Sequence, residues 1–130
     1  LGGFLTMNVS GVSRIVVNPC WDPFVELPKI GYNGPIDEYK SLLNRFITSA
    51  DFEEYHLCSG VFSYNDELLG LKYVNEFKKY FKQHFFIDGS HRINQQMAHE
   101  IINDILIKHE KEATDYCSGL KDIDNAPWLD

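Results

Sequence analysis

An α/β fold built on a mainly parallel sheet is what this sequence predicts, and three observations carry the expectation. Short runs rich in β-branched or aromatic residues, at positions 13–18, 55–62 and 84–87, alternate with stretches of helical periodicity. Glycine, proline, asparagine and aspartate cluster between these segments as turn punctuation. The intervals between the runs are long enough to hold crossover helices, which tight antiparallel hairpins do not need. With 130 residues, 44% of them hydrophobic and 24% charged, the chain suits a single globular unit with a real core.

The elements follow in order. Leu1 to Ser10 is short and apolar and stops at Gly11, as a glycine-terminated helix does. Ser13-Arg14-Ile15-Val16-Val17-Asn18 is nearly continuous in apolar character, predicting a strand buried on both faces and ended by Pro19. Cys20 to Pro35 turns to proline, glycine and aromatic residues and is read as a long loop. Pro35 suits a first helical turn, and Ile36, Tyr39, Leu43, Phe46 and Ile47 recur at helical spacing up to about Thr48. Tyr55 to Phe62 reads as a strand interrupted by Gly60, followed by the polar turn Ser63-Tyr64-Asn65-Asp66. Leu71, Val74, Phe77 and Phe81 mark an amphipathic helix, His84 to Ile87 a third strand, and Asp88-Gly89-Ser90 a tight turn. Met97, Ala98, Ile101, Ile102, Ile105 and Leu106 form the apolar stripe of a long last helix. Residues 1–110 are expected to be the C-terminal part of one domain. Residues 111–130 are expected to be a polar tail anchored by Trp128 and Leu129. Three strands alone leave an edge exposed, so the sheet is expected to continue into residues preceding Leu1.

Charge and composition narrow the function. Twelve Lys and Arg against nineteen Asp and Glu give a net charge of −7. Without a basic surplus, nucleic acid and anionic membranes are not expected as partners. No apolar run approaches the ~20 residues that a membrane span needs. Cys20, Cys58 and Cys117 are an odd, widely spaced set, which fits reduced thiols in the cytoplasm better than a disulfide framework. His56, His84, His99 and His109 have no partner at metal-ligand spacing, so neither a metal nor a cofactor is expected.

In open parallel sheets, functional groups gather in loops beyond the carboxyl ends of strands. Asp66 falls just past the second run and His91 just past the third, one strand–helix–strand crossover apart. An acid that holds a histidine tautomer is the non-nucleophilic part of a hydrolytic triad. In α/β-hydrolases the chain order is nucleophile, acid, histidine, and Asp66 precedes His91 here.

Leu1-Gly2-Gly3-Phe4 resembles the back half of the nucleophile elbow G-x-S-x-G, with the serine as the residue immediately upstream. Ser63-Tyr64-Asn65-Asp66-Glu67 resembles the acid turn of α/β-hydrolases, and Asp88-Gly89-Ser90-His91-Arg92 the histidine turn. With the Val16-Val17-Asn18-Pro19 strand end and the final helix, the segment from Leu1 to about Lys108 is most similar to small bacterial esterases of the YqiA type. The resemblance implies a three-layer α/β-hydrolase-type sandwich, of which this is the C-terminal half. It implies a serine hydrolase acting on a small carboxylic ester or thioester, with Asp66 as triad acid and His91 as general base. The backbone N–H of Leu1 would be one oxyanion-hole donor, and Gly2 would allow close approach of the opening helix. The aromatic loop, with Trp21 and Phe24, is the expected edge of a shallow substrate pocket.

Three other readings compete. Asp88-Gly89-Ser90-His91 before a helix also resembles the C-terminal D-x-x-H block of GDSL-type esterases, with Asp88 as the acid. Ile87-Asp88-Gly89-Ser90-His91 resembles a turn of some S-adenosylmethionine-dependent methyltransferases, a reading that needs further strands after the last helix. A non-catalytic α/β-hydrolase-fold binding module is the third. Asp66 also suits an Asx-turn or helix cap, a role compatible with holding His91.

Overall fold

The computed structural model describes residues 1–49, 51–105, 107–108 and 111. Three parallel strands, β1 (Arg14–Val17), β2 (Cys58–Ser63) and β3 (Gln83–Ile87), lie side by side in chain order. Around them run α1 (Gly2–Met7), α2 (Pro23–Lys29), α3 (Asp37–Ser49), α4 (Phe52–Leu57) and α5 (Val74–Tyr80). A further helix, α6, occupies residues 95–105. The result is a mixed α/β fold with a parallel sheet, as the alternation of periodicities requires. The chain divides into two compact units, Leu1–Ile93 and Asn94–Asp130. The first holds the three described strands; the described part of the second is helical, capped where Asn94 Oδ1 accepts the Met97 N–H at 2.8 Å. The expected tail, beyond Lys111, lies outside the described residues, as do Trp128 and Leu129.

Two helices replace segments expected to be otherwise. The expected loop from Cys20 to Pro35 contains α2, which begins with Pro23 at a first-turn position behind Asp22. Residues 55–57, expected as the start of a strand, are the end of α4. Asp51 caps that helix, its carboxylate accepting the Glu54 N–H at 3.0 Å, and this local bond outweighs the strand preference of Tyr55. β2 therefore begins at Cys58 and runs unbroken through Gly60, with all six residues buried. It is β2, flanked on both sides, that is covered on both faces; β1 alternates between buried and half-buried residues.

Gly60 is a site of close approach rather than an interruption. A Cβ there would stand 2.6 Å from the Phe77 ring, so the missing side chain is what lets α5 settle on the sheet. Phe77 is fully buried and meets Phe62 edge-on at 5.4 Å and Phe81 at 4.8 Å. The core continues through Phe4, Met7, Val16, Leu43 and Phe46. Under it, Arg14 Nη2 binds Glu54 at 2.7 Å and the Met7 carbonyl at 2.9 Å, tying α1, β1 and α4 together. The close approach expected of Gly2 belongs to its neighbour. Nothing lies within 4 Å of a Cβ on Gly2, whereas one on Gly3 would reach the Pro19 Cα at 3.0 Å.

Candidate active site at the carboxyl ends of the strands

β2 and β3 are paired in register to their last residues, Ser63 opposite Ile87. The pairing then carries on into the turns. The Tyr64 N–H donates to the Ile87 carbonyl at 3.0 Å and the Asn65 N–H to the Gly89 carbonyl at 3.2 Å. These bonds hold the acid turn and the histidine turn edge to edge, so residues 66 and 91 meet because the ladder outlasts the strands.

Asp66 Oδ2 lies 3.0 Å from His91 Nδ1, and Oδ1 lies 3.1 Å from it. The carboxylate side chain is wholly buried, and the imidazole is 24% exposed. Asp66 Oδ1 also accepts the N–H groups of Leu68 at 2.9 Å and Leu69 at 3.0 Å. A buried carboxylate needs such donors to offset lost hydration, and here three converge on it. The turn-capping and histidine-holding roles of Asp66 are thus combined in one side chain. An ionised carboxylate only accepts, so beside it the neutral imidazole holds its proton on Nδ1, which leaves the Nε2 lone pair to act as a base. Both bonds to Asp66 are made by Nδ1, and among the described residues no hydrogen bond to Nε2 is formed.

His91 lines a pocket of about 170 Å³ together with Leu1, Cys20, Leu27, Leu68 and Leu69. Leu1 is the cap residue of α1, so the start of that helix and the imidazole border the same space. The walls are mainly aliphatic. Burial pushes the Cys20 thiol up to about 11, so it remains protonated at neutral pH and is a poor nucleophile although it lines the same pocket as His91. Glu26, also at the pocket, accepts from Lys72 and, at 2.7 Å, from the Tyr73 hydroxyl. Those bonds hold its carboxyl down at about 2 and fasten α2 over the site. Among the described residues, no group of three or more His, Cys, Asp or Glu side chains is arranged to hold a metal ion. No helix among them is long and apolar enough to cross a membrane.

Asp66, His91 and Leu1 are brought together; the aromatic pair is not. Trp21 is buried in the core, stacked on Tyr80 at 5.3 Å and edge-on to Phe46 at 6.1 Å. Phe24 packs against that core with Lys40 Nζ 5.6 Å from its ring centre. Neither lines the His91 pocket, because α2 turns its Pro23 and Leu27 side toward it instead. Asp88 is exposed, and the imidazole is held by Asp66 in its place. Sequence reasoning missed the aliphatic walls, Leu27, Leu68 and Leu69. The Asp22-Pro23 pair, a helix-start signal, would have revealed α2 and with it Leu27. Comparisons with protein families, curated proteins and solved structures found no match for this chain.

Proposed function

We propose that this chain carries the acid and base of a serine hydrolase of the α/β-hydrolase type, which cleaves small carboxylic esters or thioesters in the cytoplasm. The observation behind the reading is the Asp66–His91 pair: a buried carboxylate on Nδ1, and an imidazole that lines the same pocket as Leu1, the cap residue of α1. A serine immediately upstream of Leu1 supplies the nucleophile. His91 Nε2 takes its proton as Oγ bonds to the ester carbonyl carbon. The Leu1 N–H is one donor to the resulting oxyanion, a contribution of about 2.7–4 kcal/mol to the transition state where single donors have been removed. When the tetrahedral intermediate collapses, the C–O or C–S bond breaks and His91 returns the proton to the leaving group. Water then attacks the acyl-serine by the same route, restoring the enzyme.

Two measurements test this on the intact protein. A fluorophosphonate probe is expected to label the residue preceding Leu1, and His91→Ala is expected to abolish the labelling. An alanine or glycine at that position, or a folded wild-type protein that neither labels nor turns over p-nitrophenyl acetate, would overturn the proposal.

A further inference from the structure

We infer that Asn18 is a positioning residue for His91: its carboxamide holds the carbonyl of residue 91 while the Glu67 carboxylate holds its N–H, a clamp that sets where the imidazole stands. Asn18 directly follows β1, is only 5% exposed, and lies in the left-handed region at φ +45°. Asparagine is among the few non-glycine residues that adopt this conformation readily. Its main-chain N–H donates to the Val61 carbonyl at 2.8 Å, which anchors it to β2.

The side chain then reaches across the ends of all three strands. Oδ1 accepts the Ser63 N–H at 2.7 Å. Nδ2 faces the Ser63 hydroxyl at 2.9 Å, the Ser90 carbonyl at 3.2 Å and the His91 carbonyl at 3.0 Å. A main-chain N–H can only donate and the carbonyls can only accept, so this set of partners fixes which way the amide is turned. The Glu67 carboxylate in turn accepts the His91 N–H at 3.0 Å. Both polar groups of the His91 backbone are therefore held by side chains. Those side chains come from the end of β1 and from the residue next to Asp66. The frame that holds the base thus includes the segment that holds its acid. The Asn18 bonds go to main-chain atoms of residues 90 and 91, so its effect runs through that backbone, whereas the Glu67 carboxylate also interacts with the charge of His91.

Asn18→Asp is the discriminating variant. It keeps the shape, the tolerance of positive φ and the acceptor for Ser63 N–H, but turns an oxygen toward the carbonyls of Ser90 and His91. The activity arm rests on the hydrolase reading; a second arm does not. In the intact protein, kcat for p-nitrophenyl acetate is expected to fall about 10²-fold, the cost of a misplacement near 1 Å, with KM changed less than about twofold. In parallel, the downfield proton resonance of the His91 Nδ1–H, identified by its loss in His91→Ala, is expected to broaden or vanish. The far-UV circular dichroism stays that of the wild type. Should Asn18→Asp fail to fold, Asn18→Gly, which is at ease at positive φ, and Glu67→Ala, at an exposed position, are read in the same way. A folded Asn18→Asp, or both folded substitutes, with wild-type kcat and wild-type resonance would overturn the inference. Wild-type protein without turnover, but with a resonance that responds to Asn18→Asp, would sink the hydrolase reading and leave the clamp standing.

Discussion

The carboxyl ends of the strands and the aromatic layer beneath α5 are built on opposite principles. At the strand ends, polar atoms are matched individually: three donors meet Asp66, and the turns on either side are joined by main-chain hydrogen bonds. Each such bond adds only about 0.5–1.5 kcal/mol net, yet each has a direction, and together they specify position. Under α5, the Phe77, Phe81 and Phe62 rings are matched mainly by volume and ring-to-ring contact, against a strand that gives way at Gly60. Burial of one such ring contributes about 1.5–3 kcal/mol, but says little about where a proton acceptor will stand. Stability is thus concentrated in one region and geometry in the other. Substitutions in the two should separate activity from folding.

The largest effect is expected from Asp66→Asn. An amide in place of the carboxylate can still accept from Leu68 and Leu69 but leaves His91 with the wrong tautomer, and kcat should drop about 10⁴-fold. Thermal unfolding of the same variant tests the separation, since a large loss of stability would merge the two regions. Asp88→Asn, at an exposed position, is the control: turnover should stay within about twofold of wild type. A loss in Asp88→Asn with activity retained in Asp66→Asn would return the acid to the competing D-x-x-H arrangement.

Next in size is Phe77→Ala, which empties the space above Gly60. Truncation of a fully buried phenylalanine costs about 3–5 kcal/mol, readable as a shift in urea midpoint. The protein that remains folded should keep the kcat of the wild type. If kcat falls in step with stability, the aromatic layer also sets the geometry of the site.

Glu26 joins the two regions, since it lies at the pocket while bonded to Tyr73 of the core. Its carboxyl is held at about 2 by Lys72 and Tyr73, against an unfolded value near 4.5. A depressed acid stabilises the fold fully above its unfolded value, and that contribution is lost as pH falls from about 4.5 toward 2. Glu26→Gln should therefore lower the urea midpoint at pH 7 and flatten its decline across that acid window. An unchanged decline would show that the Glu26 bonds contribute nothing. The smallest effect belongs to Lys79, whose ion pair with Glu76 is exposed on both sides. Lys79→Ala should leave both the midpoint and kcat unchanged.

What the chain of residues determined by itself was everything local. Hydrophobic period separated helix from strand at β1, α3, α5 and β3, and the turn chemistry of residues 63–66 and 88–90 put Asp66 and His91 just past strand ends. Their meeting followed from topology, because neighbouring parallel strands deliver their following loops to the same edge. The two helices that were not expected carry local signals of their own, the Asp51 cap and the Asp22-Pro23 start. Other features rest on contacts between residues far apart in sequence, which no window of neighbours contains. Trp21 entered the core because Phe46 and Tyr80 offered it a place there. Gly60 was needed because Phe77 came down on it. Asn18 reached residues 63, 90 and 91 only once three strands had ended side by side. Packing and long-range hydrogen bonding are properties of the assembled sheet, and only the tertiary structure decided them.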